Sequence, residues 1–111
     1  MRWLILLSVL VLSACGDDDR HAEARALIAS HCGVCHVVPG VDGATGRVGP
    51  SLAGIARQQM LAGRFANDRQ TLARWIAHPQ AMLPGNAMPD TGLSSVQAAR
   101  IADYLATLDR P

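Results

Sequence analysis

The residues with the most chemistry to offer stand together as His31-Cys32-Gly33-Val34-Cys35-His36. Two thiols three positions apart on one turn, followed at once by an imidazole, can do three kinds of work. They can add to the two vinyl groups of one porphyrin as thioethers, which leaves the His36 imidazole pointed at the central iron. They can cycle between dithiol and disulfide, which requires a β-α-β setting around the pair. They can also contribute to a zinc site, which needs two further ligands at metal spacing. His21, His31 and His78 are available for that purpose, but the sequence holds no second Cys pair and no alternating strands. The pattern favours Cys32 and Cys35 as covalent attachment points and His36 as an iron ligand.

A second axial ligand has to come from elsewhere. Of the four Met, Met60 lies on a stretch that reads as helical, where Met is usually core filling. Met82 and Met88 share a loop, and His78 precedes it. Pro89 favours an extended backbone at Met88, which suits a segment crossing the face of a flat group. Two strong axial ligands would leave the iron closed to substrates and fit for outer-sphere electron transfer. An open position would instead allow gas or peroxide chemistry.

A chain of 111 residues, half of them apolar but with one Phe, one Tyr and two Trp, has a small core to offer. A metal, disulfide or cofactor is the usual remedy at this size. Charged residues make up 17% and the net charge is +1, which excludes an electrostatic nucleic-acid binder and an acidic disordered tail. All ten basic residues are Arg.

The elements that must position the motif are helical. Residues 22–30 are rich in helix formers, with Ala24, Leu27 and Ile28 at helical spacing. Pro39-Gly40 and the glycines to Val48-Gly49-Pro50 read as loop, and residues 51–59 as a short helix. Asn67 or Asp68 can cap a helix through Leu72, Trp75 and Ile76 that stops at His78-Pro79. A second loop spans 80–92. Ser94 and Gln97 then form a capping-box pattern before a helix carrying Ile101, Tyr104, Leu105 and Leu108 on one face. With no internal repeat and no convincing strand, the fold class is all-α with long loops.

The N-terminus reads as an address. Arg2, an apolar run from Trp3 to Leu12 broken by Ser8, and the small residues Ser13-Ala14 describe a signal peptide over 1–14, too short to span a bilayer. Leu12-Ser13-Ala14-Cys15 resembles a bacterial lipobox, which implies lipidation at Cys15. Residues 15–21, with Asp17-Asp18-Asp19-Arg20, would then be a lipid-anchored tether ahead of the domain at 22–111. Without Arg2, nine Arg balance nine acidic residues.

The mature chain as a whole resembles a small bacterial monohaem cytochrome c of the His/Met-ligated class I. The matches run in order through Cys32-x-x-Cys35-His36, Gly49-Pro50-x-Leu52-x-Gly54, Leu72-x-x-Trp75-Ile76-x-x-Pro79, Pro84-Gly85-x-x-Met88-Pro89 and Tyr104-Leu105. The resemblance implies three to five helices and long loops around one covalent c-type haem (heme c), held through Cys32 and Cys35 with His36 and Met88 as axial ligands. It implies that the Pro50 carbonyl accepts from His36, that Arg57 and Trp75 adjoin a haem propionate, and that Tyr104 packs where the first and last helices cross. At that crossing the family commonly has Gly where Ala24 stands. The implied role is a monomeric, non-enzymatic electron carrier on the periplasmic side of a membrane, passing electrons between redox proteins. A subunit dedicated to one dehydrogenase or oxidase, and an open-site haem sensor or peroxidase, are the alternatives.

Overall fold

The computed structural model describes residues 17–111. The predicted signal segment and Cys15 lie outside the described residues. Four helices carry the fold: α1 (Asp17–His31), α2 (Arg69–Ala77), the single turn α3 (Pro79–Met82) and α4 (Ser95–Leu105). Among the described residues no helix is long and apolar enough to cross a membrane.

Helix α1 begins five positions before the predicted Ala22, so residues read as a tether form its first turn. At α2, Asp68 is the cap: its carboxylate accepts from the Thr71 amide at 2.8 Å. That bond and a further one within the cap hold its pKa below the usual carboxylate value. Asn67 is used otherwise, donating to the Ile55 and Gln58 carbonyls at 3.0 and 2.8 Å. The capping box of α4 forms in full, with Ser94 Oγ accepting from the Gln97 amide and Gln97 Oε1 from the Ser94 amide.

Residues 51–59 hold less helix than the sequence predicts. A 3-10 turn at Ile55–Arg57 is all that forms. Gly54 sits at φ +73, a left-handed conformation that interrupts a continuous helix, and the C-terminal residue Pro111 packs against its Cα face. The following segment is a two-stranded hairpin, β1 (Met60–Leu61) with β2 (Phe65–Ala66), where no strand is expected. Its turn places Ala62 at φ +49 and Gly63 at φ +67. Positive φ at both central positions is the geometry of a tight hairpin, but Ala is an unusual residue to supply it. Met60 is accordingly on a strand and exposed, and its neighbour Leu61 is the buried one. This corrects the reading of Met60 as helical core filling.

The core lies where α1 and α2 pack on α4. Ala24 and Ile28 of α1 and Ala98, Ile101 and Ala102 of α4 are fully buried, with Leu72 and Ile76 of α2 closing one side. Small residues on both helices leave room for a close crossing. Ion pairs Glu23–Arg100 (2.9 Å) and Arg69–Asp103 (2.6 Å) fasten the outside, where exposure limits each to about 1 kcal/mol or less.

Tyr104 ties the loop after the motif to this crossing. Its ring meets His21 edge-on with centroids 5.6 Å apart, and its hydroxyl donates to the Pro39 carbonyl at 2.6 Å. Gly40, at φ +79, has no room for a side chain because the Tyr104 hydroxyl occupies it. Val38, Val41 and Ala44 anchor the same loop in the core. Tyr104→Phe should therefore lower the unfolding free energy by about 1 kcal/mol, with an unchanged denaturant slope; a variant as stable as the parent would show the bond to be dispensable.

Candidate functional site

The Cys-x-x-Cys-His segment is the continuation of α1. The amides of Cys32 and Gly33 both donate to the Ile28 carbonyl (2.8 and 2.9 Å), ending the helix. The amides of Cys35 and His36 then return to the Cys32 carbonyl (3.1 and 2.9 Å), making one compact turn. Cys32, Cys35 and His36 all reach the same cavity from this turn. Gly33 is buried against Ala29 and Ala44, where a Cβ would be crowded. Val34, between the cysteines, points out and is 77% exposed.

A second segment is laid against the turn by backbone bonds. Gly46 donates to Gly33 O at 2.9 Å and Gly49 to Cys35 O at 2.7 Å. Together they deliver the Pro50 carbonyl to His36 Nδ1 at 2.6 Å, the contact expected from the sequence. A carbonyl can only accept, so Nδ1 carries the proton and Nε2 keeps a free lone pair. Gly49 has a role the sequence reading missed: a Cβ there would fall on the His36 ring. Gly46 likewise lies on the Val34 carbonyl too closely for any side chain. The spacing of the glycines was the available signal, although periodicity gives no hint of which ring or carbonyl each one faces.

The cavity has a volume of about 390 Å³ and mostly apolar walls, the character of a cofactor pocket. Three helices and the hairpin contribute: Ile28 from α1, Leu61 from the hairpin, Leu72 and Trp75 from α2, Ile101 and Leu105 from α4. Trp75 lines it and tilts against Phe65 at 5.9 Å between centroids. Met88 also lines it, whereas Met82 and His78 do not. Arg57 is exposed at the end of the 3-10 turn and outside the lining, to which that segment gives Ile55 and Gln58.

Electrostatics bear on what the cysteines can do. Burial first, and Cys35 second, push the Cys32 thiol up to about 11, so it stays protonated near neutral pH. A redox cysteine needs the opposite shift toward thiolate. Among the described residues no three His, Cys, Asp or Glu side chains gather as a metal site, and the setting is helical, not β-α-β. What remains is two sulfurs and one free imidazole lone pair on the wall of a large apolar cavity, with a thioether on the same lining. A flat apolar macrocycle with a central metal fits that donor set.

Substituting Gly49 tests the cradle. Gly49→Ala should cost about 1–3 kcal/mol of stability through overpacking and weaken the His36–Pro50 bond, read as faster exchange of the Nδ1 proton by NMR. Unchanged stability and exchange would mean that the ring has room to move.

Comparison with known proteins agrees with this geometry. The family model described as Cytochrome c matches residues 21–109. A relative named cytochrome c2 iso-2, from Magnetospirillum fulvum, is 33% identical over 89 residues, covering 68% of this chain and 93% of the relative. Cytochrome c oxidase subunit 2 of Bacillus sp. (strain PS3) is 30% identical over 95 residues, covering 82% of this chain but only 27% of that subunit. The crystal structure of cytochrome c2 from Rhodobacter sphaeroides superposes with a TM-score of 0.58 over 81% of this chain and 96% of that one, at 18% identity. The turn that presents Cys32, Cys35 and His36, the helices that enclose the cavity and the matched span together show that this chain belongs to the cytochrome c family.

Proposed function

We propose that the chain is an electron carrier with one c-type haem, attached through Cys32 and Cys35 and ligated axially by His36 and Met88. The observation that carries this reading is an apolar cavity reached alike by both sulfurs, the His36 ring and Met88. When bound, the haem supplies a one-electron Fe(III)/Fe(II) couple. The protein's own groups do the rest. Cys32 and Cys35 would hold the haem as thioethers, each formed by addition of the S–H across a vinyl double bond. Pro50 keeps the proton on His36 Nδ1, which orients the ring and makes Nε2 a stronger donor. Met88 offers a thioether, a ligand that favours the ferrous state relative to a second imidazole. The apolar walls keep water from the iron, and no general acid or nucleophile is required.

The proposal extends to location. Cys15 carries a lipid, and the domain works as a monomer on the periplasmic side of a bacterial membrane, exchanging electrons with redox proteins. A second reading makes it the haem domain serving one oxidase. The oxidase subunit 2 relative favours that arrangement, with this chain spanning about a quarter of its length. A large protein co-purifying after detergent extraction would select the second reading.

Met88→Ala is the central test. The wild type should be low-spin with a weak far-red thioether band in the ferric state and should not bind CO rapidly when ferrous. The variant should lose that band and bind CO rapidly. An unchanged spectrum would exclude Met88 as ligand. Separately, Cys15→Ser should move the protein from the detergent phase to the aqueous phase, and unaltered partition would remove the lipid anchor.

A further inference from the structure

The segment bearing Met88 has little backbone bonding of its own. Among the described residues, the backbone-to-backbone bond donated from 84–92 is that of Asn86 to the Leu83 carbonyl at 3.2 Å. Two side-chain amides take the place of the missing ladder. Gln80, on α3, donates through Nε2 to the carbonyls of both Asn86 and Met88 at 2.8 Å, and its Oε1 accepts from the Gly85 amide at 3.1 Å. Asn86 donates through Nδ2 to the carbonyls of Pro79 (3.0 Å) and Leu83 (2.7 Å), and its Oδ1 accepts from the Met88 amide at 2.7 Å. Met88 is thus gripped at both its N–H and its C=O by side chains, one from α3 and one from the strap itself.

Two further contacts close the frame. Asp90 Oδ1 accepts from the Gln80 amide at 3.2 Å, and Thr91 Oγ1 donates to the Ile76 carbonyl at 2.9 Å, so the far end of the strap is tied to α2. Each side-chain amide uses both its donor and acceptor ends, and both residues are half-buried. A hydrogen bond shielded from water and sharing a network is harder to open than an exposed one. Pro84 and Pro89 have no N–H to give and stiffen the strap on either side of Met88.

We propose that Gln80 and Asn86 are positioning residues that clamp the Met88 strap, and so set how readily the thioether leaves the iron. The proposal rests on Met88 being the axial ligand. The two residues act on Met88 by raising the cost of the strap opening that any ligand exchange requires; Gln80 stands outside the cavity lining, and Asn86 lines it with Ala87 and Pro89.

The experiment uses the haem-loaded full chain and imidazole as the competing ligand of the ferric form at fixed pH. Gln80→Leu, which keeps the volume but cannot donate or accept, should raise the imidazole association constant about tenfold, the equivalent of one to two net hydrogen bonds. Asn86→Ala should do the same. Tyr104→Phe, weakened at a site away from the strap, should remain within about twofold of the parent; a rise equal to that of the clamp variants would show general loosening and overturn the proposal. Constants within about twofold of wild type in both clamp variants, alongside a Met88→Ala spectrum that has changed, would overturn the clamp and leave the ligand assignment standing. An unchanged Met88→Ala spectrum would instead overturn the ligand assignment, and with it the effect on the iron. In the wild type, hydrogen exchange gives an independent measure. The Gly85 and Met88 amides should be protected, and exchange at the rate of free peptide would show that no clamp exists even if neither variant matures.

Discussion

A 2.6 Å hydrogen bond from His36 Nδ1 to the Pro50 carbonyl fixes where the proton sits and therefore which nitrogen is left to bind. The bond is directional, so it requires both partners to be held. The backbone bonds from Gly46 to Gly33 and from Gly49 to Cys35 do that holding, and they need close approach at both glycines. The motif, the glycine-rich loop and the proline are therefore one unit, although they are spread over nearly twenty positions of sequence. Helix α1 ends where it does because the same turn has to present two sulfurs and one ring to a common space.

That space also governs how the rest of the chain is spent. The helices are short and their crossing residues small, so α1, α2 and α4 cannot fill a core among themselves. Ile28, Leu72, Ile76 and Ile101 belong both to the hydrophobic core and to the cavity wall. No polar or charged side chain is buried among the described residues. Tyr104, Asn67, Gln80 and Asn86 each satisfy backbone carbonyls that loops would otherwise leave open.

Much of this was legible in the sequence, for reasons that differ by residue. The helices around Leu72 and Ile101 carry clear periodicity and side-chain caps, so their existence was safe and their boundaries nearly so. The Cys32–His36 turn was readable because Cys-x-x-Cys-His is a pattern of fixed spacing. The Pro50 contact came through likeness to a family, since no local rule links positions 36 and 50. The hairpin at 60–66 was missed because strands of two residues leave no alternation to detect and Ala62 conceals a positive φ. Asn67 and Asp68 are equivalent as caps on paper, and only the position of the Ile55–Gln58 segment separates their tasks. Gln80 and Asn86 were invisible, because a polar residue in a polar loop gives no sign of which carbonyls it will reach. Arg57 was named by likeness alone, and it stands exposed outside the cavity lining.

The sharing of residues between core and cavity wall joins folding to maturation. A group held covalently through Cys32 and Cys35 would stay on the chain when it unfolds, so what it adds to folding is the burial of its apolar surface against the cavity walls. A copy that leaves biogenesis without its macrocycle therefore keeps a hollow where a core should be and opens far more often. Such copies expose more of their backbone to proteolysis, so occupancy of the cavity and survival of the chain are coupled.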